Sequence, residues 1–132
     1  MLRPLAGLVL GVLLLAGCSQ PQGPERHDIE GIVTYGGVPV RSGRITFVPD
    51  RSKNNSGPVG YAVIENGEYD TADPGGRGSV SGPITVVITG YGEPPAEGEE
   101  APEPLFEDFE ATAEIDPSQA RTTLDFSVPR KK

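Results

Sequence analysis

The chain has 132 residues and a formal net charge of -8, with 11 Lys and Arg against 19 Asp and Glu. One Cys, one His and no Trp exclude an intrachain disulfide and a zinc site built from several cysteines. An acidic chain without a basic stripe is poorly suited to nucleic acid, because neutralising phosphates takes clustered Lys and Arg. The length fits one small domain.

The start of the chain is typical of a targeting sequence. Arg3 supplies a positive charge, and residues 4–16 are apolar and uncharged. A helix that spans a bilayer needs about 20 apolar residues, so this shorter run predicts a signal peptide over residues 1–17. The alternative is an uncleaved apolar segment in which Cys18 is an ordinary buried residue.

The ending Leu15-Ala16-Gly17-Cys18 resembles the lipobox of bacterial lipoproteins. The resemblance implies cleavage before Cys18, transfer of a diacylglyceryl group to its sulfur, and acylation of the new amine by a fatty acid such as palmitate. Because two or more acyl chains anchor a protein durably, we expect a lipid-anchored protein of the cell envelope. By analogy with enteric bacteria, Ser19 in place of Asp favours the outer membrane over the inner membrane.

Beyond the signal, we expect a flexible tether at residues 18–27, a β domain at 28–129 and a basic tail at 130–132. The tether is polar, contains Pro and Gly, and has no apolar periodicity. From Asp28 onward apolar and polar residues alternate, which is the period of half-buried strands. The alternation predicts seven strands, with these apolar residues: Ile29, Val33 and Tyr35; Ile45 and Phe47; Val59, Tyr61 and Val63; Tyr69; Ile84, Val86 and Ile88; Phe109, Ala111, Ala113 and Ile115; and Leu124, Phe126 and Val128.

Turn signals separate these strands. Gly36-Gly37 and Asn66-Gly67 predict tight turns, because their residues accept positive φ angles. Residues 92–108 are rich in Pro and Glu and predict an acidic loop without regular structure. With no helical periodicity in the mature chain, the predicted fold class is all-β, a single seven-stranded antiparallel β-sandwich.

Residues 31–47 resemble the opening of carboxypeptidase regulatory-like domains, which have a transthyretin-like (prealbumin-like) sandwich fold. The resemblance rests on a glycine in the first strand, Gly31, and a turn containing Gly37 and Pro39. The sequences NGEY at 66–69 and SGPITV at 81–86 resemble later family elements, the second with Pro and Gly exchanged. With the lipobox, the layout is similar to that of small lipoproteins abundant in planctomycetes, and it implies a transthyretin-like fold.

The glycines and the proline of this resemblance have physical roles of their own. A glycine within a strand allows another part of the backbone to approach closely, which is the expectation at Gly31. Gly37 and Pro39 are expected to fix a turn that returns the next strand antiparallel to the first.

Few residues are candidates for chemistry. His27, the only imidazole, lies in the predicted tether and cannot by itself form a set of nucleophile, base and orienting group. No catalytic residue and no cofactor are therefore predicted, and we do not expect an enzyme. Glu99, Glu100 and Glu103 form a weak candidate cation-binding loop, but they do not match a calcium-loop pattern, and no metal site is predicted.

The function predicted from the sequence is display of a non-catalytic β-sandwich on a lipid anchor, as a structural or protein-interaction module. The expected partners are the membrane, through the anchor, and an envelope protein or polymer; neither nucleic acid nor a small-molecule substrate is expected. Two alternatives stay open: a module that binds Ca²⁺ or a cationic partner through the acidic loop, and an accessory subunit of an envelope enzyme or transporter.

Overall fold

The computed structural model describes residues 24–93, 96–98, 100 and 103–130. These residues form nine strands and one 3₁₀ turn, Arg51–Lys53. The strands are β1 (Asp28–Tyr35), β2 (Val38–Pro39), β3 (Ser42–Pro49), β4 (Gly60–Glu65), β5 (Glu68–Asp70), β6 (Gly82–Tyr91), β7 (Phe106–Ile115), β8 (Arg121–Thr123) and β9 (Phe126–Val128). In this part of the chain no helix is long and apolar enough to cross a membrane.

The strands form one curled sheet in the order β2-β1-β5-β4-β3-β6-β7. Neighbours along this path are antiparallel. Strands β8 and β9 pair in parallel with β1, on the edge opposite to β5 and β2. The predicted all-β class is confirmed. An antiparallel sheet of at least seven strands is present, as predicted. It differs from the prediction in having nine strands, and the predicted last strand is two strands, β8 and β9, that pair in parallel with β1.

The core lies on one face of the sheet and is built from alternate residues of each long strand. In β6, Ile84, Val86 and Ile88 are all at most 1% exposed, while the residues between them lie on the outer face. Phe47 of β3 is fully buried and packs against the ring of Tyr69, with 6.0 Å between ring centroids. Burial of such apolar surface, at about 25 cal/mol per Å², is the main contribution to the stability of the sheet.

Strand β4 has the opposite phase to the one predicted. Val63 is 52% exposed on the outer face, whereas Ala62 and Ile64 are buried. The reason lies in the neighbouring strand, where Phe47 is paired with Gly60 and Ile45 with Ala62. Large side chains of β3 fill the core where β4 has small ones, so complementary volume decides the phase in this strand.

The predicted last strand is divided into β8 and β9. Leu124 and Asp125 leave the regular ladder between them, although Leu124 N–H still donates to Glu30 O at 2.9 Å. Asp125 Oδ1 accepts from Ile32 N–H at 2.9 Å, so a side chain takes the place of a backbone acceptor beside β1. A local bend therefore interrupts an alternation that looks continuous in the sequence.

Three segments differ in extent from the predicted ones. The end of the predicted tether is attached to the domain: His27 pairs with Ser79 through two backbone hydrogen bonds, and Arg26 Nη1 donates to Gly78 O at 2.9 Å. The predicted acidic loop at 92–108 ends early, because β7 starts at Phe106. The ring of Phe106 is buried and packs against the ring of Tyr35, with 5.0 Å between the ring centroids. Arg130, in the predicted tail, lies 5.7 Å from the centre of the Tyr35 ring.

Candidate functional site

The outer face of β1, β5 and β4 forms an open groove of about 720 Å³. Six carboxylates line it, and no Lys or Arg is among its lining residues. Ile32 and Val63 contribute apolar surface and are 47% and 52% exposed. The lining acids are Glu30, Glu65, Glu68, Asp70, Asp73 and Asp125. The potential of such a surface favours cationic groups over anionic ones.

The hydrogen-bonding of β1 to β5 places two of these acids directly opposite each other. Glu30 is paired with Asp70 across the strands, an arrangement of like charges that would destabilise the pairing. Arg121, at the start of β8, offsets this repulsion: its Nη1 lies 2.9 Å from Glu30 Oε2 and 2.9 Å from Asp70 Oδ2. One guanidinium thus joins three strands at the edge of the groove.

Asp70 has a pKa below its ordinary value. Partial burial opposes this shift, but hydrogen bonds from Ala72 N–H and from Arg121, with the charge of Arg121, outweigh it. A carboxyl whose pKa is lower in the folded state adds stability above its unfolded pKa, and this stability is lost as pH falls through the folded pKa. Asp70 therefore contributes to stability at neutral pH and not in strong acid.

Replacing Arg121 with Gln is expected to raise the pKa of Asp70 and to move acid unfolding to a higher pH. Glu30 and Asp70 would then face each other without the cation between them. The measurement is the midpoint of acid unfolding by circular dichroism, with Arg51→Gln, in the exposed 3₁₀ turn, as the matched loss of one charge. An equal midpoint for the two variants would contradict this role of Arg121.

Tyr69 is the buried residue of β5 and lies behind the surface of the groove. The ring is 3% exposed, and its hydroxyl donates to Leu124 O at 2.5 Å. Burial, followed by the negative charges of Asp125 and Glu30, raises the pKa of the Tyr69 phenol. The hydroxyl thus stays protonated, and keeps donating to Leu124, throughout the neutral and moderately alkaline range.

Replacing Tyr69 with Phe is expected to lower the free energy of unfolding at pH 7 by about 1–2 kcal/mol, because Leu124 O loses its donor. A raised pKa in the folded state adds stability that is complete below the unfolded value, about 10, and is lost as pH rises further. The deficit of the variant should therefore shrink above about pH 10. Urea unfolding at pH 7 and 10.5 measures it, with Tyr61→Phe as a control; a deficit that does not change with pH would contradict the prediction.

The residues of the turn resemblance lie within β1 and just after its end. Gly36 and Gly37 have φ angles of 59° and 84° and form the two-residue turn that pairs Thr34 with Pro39. The return strand is only β2, however, because β3 pairs with β4 and β6 and not with β1. At Gly31 the structure shows the close approach that the sequence predicts: a Cβ there would lie 1.9 Å from Leu124 O.

The other sequence-predicted residues do not join this groove. Glu99, like Leu15, Ala16, Gly17 and Cys18, lies outside the described residues. Glu100 is exposed, and Glu103 lines a shallow cavity of about 610 Å³ at the start of β7 with Glu107 and Asp108. Among the described residues, no three His, Cys, Asp or Glu side chains are close enough together to hold a metal ion.

His27 is a structural residue of the domain. It is 2% exposed, and its Nδ1 lies 2.7 Å from Gln119 O, which can only accept, so Nδ1 carries the proton. His27 therefore belongs to the domain and not to the predicted tether. Sequence periodicity does not reveal an isolated bridge between distant segments, such as the one between His27 and Ser79. The groove was missed for the same reason, since its acids come from four separate segments of the chain.

Comparison with protein-family models, with curated proteins and with solved structures finds no match to this chain.

Proposed function

We propose that this chain is a lipid-anchored protein of the bacterial envelope whose β domain is a non-catalytic interaction module. The observation that carries the proposal is the lipobox-like sequence at residues 15–18 followed closely by a folded β domain. His27, the first residue paired with the sheet, lies nine positions after Cys18. Fully extended, such a segment spans about 30 Å, so the domain would work close to a lipid surface.

The proposed domain type is the carboxypeptidase regulatory-like, transthyretin-like sandwich. Support comes from the order of sequence elements and from an all-β sheet with tight turns at Gly36-Gly37 and Asn66-Gly67. The close approach of Leu124 to Gly31 gives a physical reason for a glycine in the first strand.

A non-catalytic role is supported by the way the polar residues are used. The imidazole of His27 donates to a backbone carbonyl, and the hydroxyls of Thr71 and Ser79 bond to Asp28 and Val80. These side chains hydrogen-bond to polar groups near the start of β1 and are not among the residues that line the groove. The acidic groove, with its apolar patch of Ile32 and Val63, is the surface that would meet a cationic partner.

The proposal is tested by replacing Cys18 with Ser in the full chain, expressed in a bacterium that processes lipoproteins. The native protein should fractionate with membranes and be released only by detergent, whereas the variant should keep residues 1–17 because processing follows lipid transfer. Ser19→Ala is the matched control and should behave as the native protein does. Equal processing and equal fractionation of native protein and Cys18→Ser would overturn the anchor.

Cross-linking in intact cells, followed by mass spectrometry, then identifies what the module contacts. A dominant link to one envelope enzyme or transporter would favour the accessory-subunit alternative, and links to structural proteins or polymers would favour the structural role.

A further inference from the structure

Strand β7 is the end of the sheet, and its outer edge has no neighbour among the described residues. It is ten residues long, and residues 109–115 keep a regular register against β6. Since successive residues of a strand direct their N–H and C=O groups to opposite sides, about half of these groups face away from β6. A long edge of this kind is a template for one more strand.

The core is only partly covered at the two ends of the sheet. The apolar residues that pack against the core while staying partly exposed belong to β1, to β7 and to the stretch from 124 to 126: Tyr35, Phe109, Ala111, Ala113, Leu124 and Phe126. On β7 the inward residues Ala111 and Ala113 are small, so they leave apolar surface beside the open edge. An added strand with apolar residues at alternate positions would cover that surface.

The outward positions of the same strand carry charge. Glu110 and Glu114 are exposed and flank Thr112 on the outer face, where they are paired with Val87 and Pro83 of β6. No cation neutralises them: within the described residues, the ion pairs involve Glu30, Asp70 and Glu93. Opposite-charge pairs across two strands stabilise the pairing, so lysine or arginine fits opposite these glutamates.

The same charges disfavour a second copy of the chain as the occupant. If β7 paired with its own copy about Thr112, Glu110 of one molecule would face Glu114 of the other. Like charges directly opposite each other destabilise strand pairing, and charged residues on edge strands are a known means of preventing self-association. The edge therefore discriminates between a copy of itself and a basic partner.

We propose that β7 binds an extended segment of a partner protein in which basic and apolar residues alternate, adding it to the sheet as a further strand. Apolar side chains of the segment would lie over Ala111 and Ala113, and basic ones would face Glu110 and Glu114. The proposal specifies the partner of the interaction module and rests on that proposed function. It concerns an edge separate from the acidic groove.

The test uses full-length protein in detergent micelles and a synthetic seven-residue peptide of alternating Lys and Val, capped at both ends. Binding is measured by fluorescence anisotropy, and hydrogen exchange of residues 109–115 is followed with and without peptide. We expect saturable binding and slower exchange at alternate amides of β7. A peptide of alternating Glu and Val should not bind, and N-methylation of alternate backbone nitrogens should abolish binding, because strand addition depends on main-chain hydrogen bonds.

Matched variants locate the site. Glu110→Lys/Glu114→Lys should weaken the Lys-containing peptide by about tenfold or more, with a gain for the Glu-containing peptide, since two favourable cross-strand pairs become unfavourable. Glu25→Lys/Glu97→Lys makes the same change of charge at two exposed glutamates outside both the groove and β7, and it should leave the affinity within about threefold, the remaining change reflecting long-range charge. Circular dichroism checks that both variants fold.

The proposal is overturned by absence of binding, by equal binding of the N-methylated peptide, or by a loss in the Glu25/Glu97 variant as large as that in the β7 variant. Each of these results is independent of the Cys18→Ser fractionation. Peptide binding without membrane association would refute the anchor alone, and membrane association without peptide binding would refute the β7 site alone.

Discussion

Replacing Gly31 with Ala is expected to lower the free energy of unfolding by about 3 kcal/mol, the upper part of the usual range for forcing extra atoms into a packed site. The added Cβ would lie 1.9 Å from Leu124 O and 2.7 Å from Leu124 C. Backbone at that distance must move, and the movement would break the bonds from Tyr69 O–H to Leu124 and from Ile32 N–H to Asp125. Urea unfolding of the two proteins measures the difference.

Gly92→Ala is the matched control for this substitution. A Cβ at Gly92 would meet only the end of the Leu105 side chain, at 3.7 Å, so a change within about 0.5 kcal/mol is expected. In a cycle with Tyr69→Phe, the two losses should be smaller together than in sum, because both act on the position of Leu124. Equal stability of Gly31→Ala and Gly92→Ala would refute the close approach.

Replacing Phe47 with Ala is expected to cost about 3–5 kcal/mol, as for other buried aromatic residues. Phe47 is fully buried, packs against Tyr69, and lies opposite Gly60, which has no side chain to fill the space left behind. Thermal and urea unfolding would measure the loss, which is a large fraction of the stability of a small domain.

Val63→Ala is the informative comparison, because the alternation of Val59, Tyr61 and Val63 in the sequence predicts that Val63 is a core residue. The structure exposes it by 52% on the rim of the groove, so its truncation should change stability by no more than about 0.5 kcal/mol. A loss for Val63→Ala comparable to that for Phe47→Ala would show that the sequence-based phase of β4 was the correct one.

Strand positions were predictable from the sequence because most strands bury one face and therefore alternate strictly. The strands containing Ile84, Val86 and Ile88, and Ala111, Ala113 and Ile115, were located with the correct phase. The hairpin turn at Asn66-Gly67 was predictable from local backbone preference, and both residues have positive φ angles. These features are determined by residues close together in the chain, so a single sequence is enough to predict them.

Features that depend on contacts between distant segments were not predictable. The phase of β4 depends on Phe47 in β3, and the division of the last strand depends on Gly31 and Tyr69. His27 is buried through a bridge to Ser79, which lies 52 positions further along the chain. The acidic groove likewise combines residues from β1, β4 and β5 with Asp125, and no local pattern marks them as a group.

Mass spectrometry of the N-terminal peptide, from protein recovered from the membranes of the cells that express it, tests the central claim most directly. We predict that no peptide from residues 1–17 remains and that the chain begins at Cys18, with a diacylglyceryl group on sulfur and an acyl chain on the amine. A chain that still begins at Met1, or that carries an unmodified Cys18 thiol, would contradict the account.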